Sequence, residues 1–236
     1  MYTTKYVRWY AEEREHLFDS FMFVSHKNYN NSDDIIAKIP DPIFISIYNK
    51  IKNNSTFFYK SDSGFNCLYN NTPINWIRSH TFVPYFTSQR IGESLSTQLK
   101  PLFFKSDEQM KVGSSILNSS LFFIWWIANS DCYHLNQKEI RNFCFDYNND
   151  NIIKRIAKLE QILSEDVLKN SKRRVYNYKT SGRVEYDEFY MKKSKPIIDE
   201  VDKVLAKHYG LTEEELDFII NYDIKYRMGS ELEGEE

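Results

Sequence analysis

Residues 117–140, LNSSLFFIWWIANSDCYHLNQKEI, are the most informative stretch of this 236-residue chain. The stretch opens with a small polar step, Asn118-Ser119-Ser120, and continues with eight apolar residues, 121–128. Eight apolar residues are far fewer than the roughly 18 that indicate a membrane-spanning helix. The polar residues that follow end in a helix-capping pattern. The stretch therefore predicts a helix end buried in a domain core, beside a polar loop that makes hydrogen bonds.

The overall composition is that of a globular protein with one large domain or two small ones. The hydrophobic fraction is 42%, the charged fraction is 27%, and the net charge of −2 gives no general attraction to nucleic acid. Residues 169–195 are nevertheless rich in Lys and Arg, which indicates either a solvated helix end and loop or a phosphate contact. Three Cys without close pairing and an N-terminus without an apolar signal core predict a cytoplasmic protein, with no membrane association.

The sequence lacks the patterns of common catalytic sites. No two of the 7 glycines are two residues apart, so there is no G-x-G loop for a nucleotide or for S-adenosylmethionine. Residues 41–44, DPIF, come nearest to the Asn-Pro-Pro-aromatic loop of adenine methyltransferases but lack its second Pro. Cys132, His134 and Cys144 lack the paired spacing of a structural zinc site. The sequence thus predicts a binding module with no catalytic residue, metal or cofactor of its own.

The N-terminal half of the chain predicts mostly strands. Residues 6–10 suggest a strand that precedes a short charged helix, and Pro40 and Pro42 open a helix over residues 43–51. Aromatic and β-branched residues, interrupted by turn signals, then predict strands. These strands cover residues 56–59, 67–69, 75–77, 81–85 and 102–105.

From Asp107 the apolar period changes to that of a helix. Apolar or small residues at positions 112, 116, 119, 123 and 127 fall on one helical stripe. Asn136 and Glu139 have the spacing of a capping box, which opens a short helix. Residues 143–145, FCF, then resemble a closing strand.

The C-terminal part predicts helices. An amphipathic helix covers residues 152–167, and a basic polar linker follows over residues 170–182. A second helix runs from Pro196 to a stop at Gly210, and a capped final helix runs over residues 212–228. The predicted fold class is α+β: a β-rich domain packed with helices, followed by a C-terminal helical hairpin.

Three stretches of the chain resemble, in the same order, parts of the large type IIG (Eco57I-like) restriction–modification proteins. These are N6-adenine DNA methyltransferases with a TaqI-like C-terminal target-recognition domain. Residues 117–140 are similar to the family segment LNSSLFYWFWIxxSDCRHLNKREI. The C-terminal SKPIIDEVDKVLAKHYGLTEEELDFIINYDIKYRMG resembles the end of these proteins, and the N-terminal KYVRWYAEEREHLFDS resembles the end of their methyltransferase domain.

The resemblance implies a DNA target-recognition (specificity) module that binds duplex DNA and positions it for a catalytic domain not present in this chain. It implies a methyltransferase remnant at residues 1–30, a β-rich target-recognition domain at 31–146 and a helical region at 147–236. S-adenosylmethionine would bind in the missing domain, and the partners would be double-stranded DNA and a methyltransferase or nuclease domain or subunit. Tyr133 stands where the family has Arg, so DNA binding would be weaker or directed to another site if that Arg holds the backbone.

We expect the DNA contacts in the β-rich half and at the helix start that follows it. Arg can bind guanine and Asn or Gln can bind adenine through two hydrogen bonds, while a helix N-terminus favours phosphate. The candidates are Arg78, His80, Arg90, Gln98, Lys100, Lys111, Ser114, Ser115, Asn118, His134 and Asn136, with Ser96 and Thr97 in the same polar string as Gln98. Some have a structural alternative, such as a salt bridge at Arg78 and Arg90 or a hydrogen bond at His134.

Two other functions remain open from the sequence. The first is a protein-interaction module whose C-terminal helices dock on a methyltransferase subunit and which binds DNA only in that complex. Near-zero net charge and two amphipathic helices motivate this alternative. The second is an unrecognised enzyme, for example a magnesium nuclease that uses Asp41, Asp62 or Glu93.

Overall fold

The structure is a computed structural model that describes residues 2–19, 21–25, 27, 36–39, 41–54, 63–180 and 182–229. Within them the chain forms eight α-helices and three antiparallel sheets, which confirms the α+β prediction. The helices are α1 (Pro42–Lys52), α2 (Asp107–Asn118), α3 (Ser120–Asn129), α4 (Gln137–Asn142), α5 (Asp150–Lys169), α6 (Lys195–Tyr209), α7 (Glu213–Asn221) and α8 (Ile224–Met228). The strands are β1 (Tyr2–Thr3), β2 (Val24–Ser25), β3 (Phe65–Asn70), β4 (Ser79–His80), β5 (Phe86–Ser88), β6 (Gly92–Glu93), β7 (Leu99–Phe104), β8 (Lys172–Tyr178) and β9 (Gly182–Glu188).

Two of the sheets position the site described below. The three-stranded sheet has the order β4-β3-β7, with Leu68 of β3 opposite both His80 and Pro101. The four-stranded sheet has the order β6-β5-β9-β8 and joins distant parts of the chain, since Thr87 of β5 lies opposite Glu185 of β9. The β8–β9 hairpin is therefore held beside the segment that runs from β4 to β5.

The main hydrophobic core surrounds α3. Residues 120–128 of this helix are all buried, as expected for a helix that is apolar on every side. The Ser119 hydroxyl caps α3 by accepting a hydrogen bond from the Phe122 amide at 3.0 Å, and the Asp202 carboxylate of α6 accepts from the Ser120 and Leu121 amides at 3.1 Å each. Ser119 itself is extended, so the single predicted stripe is divided between α2 and α3.

Local capping signals predicted helix boundaries correctly. Pro42 lies in the first turn of α1, and Asn136 with Glu139 forms the capping box of α4. Gly210 ends α6 in the left-handed conformation, with φ of 62°. The predicted final helix is instead two helices, because Asp223 has a φ of 50° and separates α7 from α8.

Several strand predictions were wrong. The structure has a 3₁₀ helix at Ala11–His16 and no strand at residues 6–10. Residues 75–77 and 81–85 lie in bends and irregular backbone, while the strands β4 and β5 lie beside them. Of residues 143–145 only Cys144 forms an isolated bridge. The predicted strand at 56–59 lies outside the described residues.

The largest correction concerns the predicted basic linker at residues 170–182. This segment contains β8 and the turn of an antiparallel hairpin, with Arg173 opposite Asp187. Most of β8 is exposed, so it lacks the apolar alternation by which a half-buried strand is predicted. The three-part domain division stays a prediction, while one hydrophobic cluster contains residues from Val24 to Tyr222.

Candidate functional site

Residues from both larger sheets line a cleft of about 520 Å³, here called the Arg78 cleft. Its volume falls within the roughly 300–1,000 Å³ typical of ligand sites. Five of the predicted polar residues line it, namely Arg78, His80, Ser96, Thr97 and Gln98. The other lining residues include Asn70 of β3, five aromatic residues (Tyr85, Phe86, Tyr178, Tyr186 and Phe189) and two carboxylates (Asp187 and Glu188). The fold thus assembles rings, amides and charges from segments that are about 100 residues apart in sequence.

Arg78 contributes a positively charged group to the cleft. Its carbonyl accepts a hydrogen bond from the Asn70 amide at 2.9 Å, which anchors its backbone to β3. Among the described residues, no hydrogen bond or ion pair reaches its half-buried guanidinium. Burial lowers the pKa of Arg78, and the negative charge of Glu188 acts in the opposite direction. The result is a cation that lines a cleft without a direct partner, which suits a ligand with acceptor atoms.

Asn118 holds the strand beside Arg78 and is itself inaccessible. Its Oδ1 accepts from the Ser79 amide at 2.8 Å, and its Nδ2 donates to the Ser79 carbonyl at 2.9 Å. The side chain is buried, so we withdraw Asn118 as a DNA contact. It acts as a positioning residue, because Ser79 lies between Arg78 and His80.

His80 is a neutral, packed imidazole. Its ring lies 4.5 Å from the Phe189 ring and 4.9 Å from the Phe82 ring, measured between centroids. Burial lowers the pKa of His80 to about 3, and the positive charge of Arg78 adds to this shift. His80 therefore cannot offer a positive charge to phosphate near neutral pH, although it lines the cleft.

The arginines of the β8–β9 hairpin are paired with its own carboxylates. The closest distances are 2.6 Å from Arg173 to Asp187, 2.8 Å from Arg174 to Glu188 and 2.7 Å from Arg183 to Glu185. Arg173 also lies over the Tyr85 ring, 3.7 Å from its centroid. These pairs weaken the interpretation of the basic run as a set of phosphate contacts, because its arginine charges are largely balanced locally.

Other candidates are exposed on segments that also contribute to the cleft. Arg90 lies in the β5–β6 turn, four residues after the lining residue Phe86. Gln98 lies in the turn just before β7 and Lys100 is the second residue of β7, and both are exposed. A large ligand could reach all three from solvent, and their contacts with DNA stay predictions.

The predicted phosphate site at the start of α2 is wrong. Ser114 and Ser115 lie seven and eight residues after the first residue of the helix and are completely buried, and the Ser115 hydroxyl donates to the Ile156 carbonyl at 3.5 Å. Lys111 pairs with Asp107 at 2.7 Å. The helix start is already capped by the Ser106 hydroxyl, and the acidic side chains of its first turn would repel phosphate.

His134 and Asn136 belong to a structured loop outside the cleft lining. The Asp131 carboxylate accepts from the His134 amide at 2.7 Å and the Tyr133 amide at 2.9 Å, and these bonds lower its pKa. Trp126 of α3 donates from Nε1 to the His134 carbonyl at 2.9 Å, and the Asn136 side chain caps α4. Both residues thus have structural roles, and a DNA contact at either stays a prediction.

The described residues offer little support for metal chemistry. No group of three His, Cys, Asp or Glu side chains is placed to hold a metal ion within them. Asp41 caps α1 by accepting from the Ile43 amide at 2.8 Å, Glu93 is exposed in β6, and Asp62 lies outside the described residues. No helix in the described part of the chain is long and apolar enough to cross a membrane.

Sequence reasoning missed the hairpin half of the cleft, in particular Tyr186 and Glu188. A signal was present in residues 179–182, KTSG, which can form a turn between two strands. Gly182 adopts a φ of 69°, the left-handed conformation that such a turn favours. Nothing local, however, indicated that these residues would face Arg78.

Comparison with known proteins gives no match, whether to a family model, to a curated protein or to a solved structure. The resemblance to type IIG restriction–modification proteins therefore stays a prediction that rests on the quoted sequence segments.

Proposed function

We propose that this chain is a DNA target-recognition module, which binds duplex DNA and positions it for a methyltransferase domain carried elsewhere. The observation that carries the proposal is the Arg78 cleft, where a guanidinium that has no partner among the described residues lies among aromatic rings and side-chain amides. Arginine and amide groups are the side chains that read base edges through pairs of hydrogen bonds. The module has no catalytic step of its own and acts in the cytoplasm, where it meets DNA.

Two sets of residues would have different roles in DNA recognition. Arg90 and Lys100 are exposed and would position the duplex through its phosphates. Arg78 and Gln98 would then supply sequence preference from the cleft. Because the net charge is −2, nonspecific attraction is weak, and affinity depends on these local contacts.

The test is a titration of labelled random-sequence duplex DNA at low and moderate salt. We expect binding that weakens steeply with salt, with a slope that falls in magnitude by about 1 when Arg90 or Lys100 is replaced by Ala. Lys138→Ala, on the exposed side of α4 and outside the cleft, serves as the control. Absence of binding at low salt would refute an autonomous DNA-binding module.

A second candidate function is docking on a methyltransferase subunit, and one observation favours it. Phe18 and Phe23 of the N-terminal segment are 76% and 66% exposed, which is unusual for rings of this size. The C-terminal helices that first motivated this function bury their apolar faces internally, as Val201 and Leu205 of α6 show. Co-purification with a type IIG methyltransferase domain, abolished by Phe18→Ser with Phe23→Ser, would support docking; unchanged co-purification would exclude this surface.

A further inference from the structure

The Arg78 cleft contains a cation and a carboxylate oxygen that are both available to a ligand. Glu188 accepts hydrogen bonds from Arg174 Nε at 2.8 Å and from the Tyr190 hydroxyl, and both use Oε2. Its Oε1 accepts no hydrogen bond within the described part of the chain. Arg78 and Glu188 influence each other electrostatically but form no ion pair. A ligand with acceptor atoms for Arg78 and donor groups for Glu188 Oε1 would give each of them a hydrogen-bond partner.

The walls of the cleft suit a flat ring. Arg173 covers one face of Tyr85 at 3.7 Å from the ring centroid. Tyr176 stacks on Tyr186 with a centroid distance of 6.0 Å and an interplanar angle of 14°. Tyr85 and Tyr186 are thus each supported by a neighbouring side chain, so each ring loses little conformational freedom when a ligand stacks on it. Aromatic side chains held in this way are typical stacking platforms for unpaired bases.

We propose that the Arg78 cleft binds an unpaired guanine base of nucleic acid. Arg78 donates to the O6 and N7 acceptors of the base, and Glu188 Oε1 accepts from its N1–H and N2 amino donors. Tyr85 and Tyr186 flank the ring. This inference deepens the proposed function and rests on it, because it names the nucleic-acid feature that the cleft recognises.

Guanine is favoured over the other bases by the order of its edge atoms. It has two adjacent acceptors followed by two adjacent donors, which matches a guanidinium beside a carboxylate. Adenine places its amino donors between N1 and N7, where they would face the donors of Arg78. Cytosine lacks a donor pair beside an acceptor pair, and thymine offers only single groups. Since the N1 edge is paired inside a duplex, a base bound in this way has left the stack.

Two probes test the inference with the full chain. The first is equilibrium dialysis with dGMP, dAMP, dCMP and dTMP, and the second is fluorescence anisotropy with a short duplex that carries one bulged guanine or one bulged adenine. We expect tightest binding of dGMP and of the bulged guanine, by roughly 5- to 150-fold over the other bases. The fully paired duplex provides the reference for binding without an unpaired base.

Variants assign the preference to the two charged groups. Arg78→Lys keeps the charge but removes the planar pair of donors, and Glu188→Gln replaces the acceptor with an amide. Each should lower the guanine preference at least about tenfold. Glu185→Gln is the matched control, because Glu185 does not line the cleft and pairs with Arg183. Arg174→Met removes the existing partner of Glu188 and should leave the preference in place. Circular dichroism checks that each variant is folded.

The possible results separate this inference from the proposed function. Equal binding of all four nucleotides and of both bulges would overturn the guanine inference, while sequence-specific binding of paired duplex would still support target recognition. A guanine preference without duplex binding would support the inference and overturn target recognition. A loss of preference in Arg174→Met equal to that in Glu188→Gln would also contradict the inference, because the effect would then come from the shape of the hairpin.

Discussion

Four aromatic rings of α3, those of Phe122, Phe123, Trp125 and Trp126, are buried, whereas Tyr176 and Tyr178 of the β8–β9 hairpin are about half exposed. The rings of α3 are fixed by packing on every side and by indole hydrogen bonds to backbone carbonyls, such as that from Trp126 to His134. The hairpin rings are supported mainly by neighbouring side chains, as Tyr186 is by Tyr176. The same residue types therefore build a rigid core in one region and a surface able to bind a ligand in the other.

The difference implies that stability and recognition can be altered separately. Changes in α3 should lower the free energy of unfolding, and changes in the hairpin should act mainly on binding. Asn118 and His80 combine features of both regions. Both are buried, but Asn118 bonds to Ser79, which adjoins Arg78 in the chain, and His80 lines the cleft.

The largest effect is expected for Trp126→Ala. This substitution removes a completely buried ring and leaves the His134 carbonyl without its indole donor, so the free energy of unfolding should fall by about 3–5 kcal/mol. Urea denaturation followed by circular dichroism measures the change. Tyr176→Ala in the hairpin is the control and should have a much smaller effect. Similar losses for the two variants would contradict the division into core and hairpin.

A smaller loss is expected for Asn118→Leu, together with a change in the cleft. The buried amide and carbonyl of Ser79 would lose their partners, which should lower the free energy of unfolding by about 2–3 kcal/mol. Because β4 also positions Arg78, DNA affinity should fall in protein that is still folded. Stability and affinity are measured on the same preparation by denaturation and anisotropy. Lower stability with unchanged affinity would show that Asn118 does not position Arg78.

His80 should make stability depend on pH. Its folded-state pKa of about 3 lies below the ordinary value of 6.5, so the unfolded chain takes up a proton between these pH values that the folded protein does not. Stability is therefore retained above pH 6.5 and falls as the pH decreases towards 3, by about 1.4 kcal/mol per pH unit well inside this range. The difference in free energy of unfolding between wild type and His80→Phe should change with this slope from pH 6 to pH 5.

Comparison with a variant is needed because other buried groups act in the opposite direction. Burial raises the pKa of Glu160 and of Asp202, the latter to about 6, so each favours the folded state more as the pH falls. These contributions are common to wild type and to His80→Phe and cancel in the difference. His16→Gln, at an exposed side chain, is the control. A difference between wild type and His80→Phe that is independent of pH would contradict a neutral buried His80.

The smallest effect on stability is expected from the ion pairs of the hairpin. Arg183 and Glu185 pair near the surface, where solvent and salt screen the interaction. Arg183→Met should leave the urea midpoint unchanged within error, at low and at moderate salt. A clear loss of stability would show that the hairpin is part of the cooperative core and would remove the contrast with α3.

The core was largely predictable from local sequence, whereas the cleft was not. The apolar run at 121–128 predicted burial, and caps such as Thr212 with Glu215 predicted helix starts, because these signals lie within a few residues of each other. Arg78 and Gln98 were selected from residue type alone, and the structure brings them to one cleft. Glu188 is 110 positions from Arg78, and no local pattern specified the pairing of β5 with β9 that brings them together.

The exposed β8–β9 hairpin was also predicted wrongly from its sequence pattern. Residues 172–178, KRRVYNY, have no apolar alternation, and their many positive charges favoured a solvated linker. Cross-strand contacts stabilise the hairpin instead, including the bond from Arg173 to Asp187. The reverse error occurred at Ser114 and Ser115, which looked accessible because they are polar but fill the closely packed side of α2.

The most direct test of the central claim is selection of random-sequence duplex DNA by the wild-type chain and by Arg78→Lys, followed by sequencing of the bound DNA. If the Arg78 cleft reads DNA, the wild type enriches a motif that contains at least one G·C pair, and Arg78→Lys loses the preference at that position while still binding DNA. The same enriched motif from both proteins, or no enrichment by the wild type, would contradict the claim.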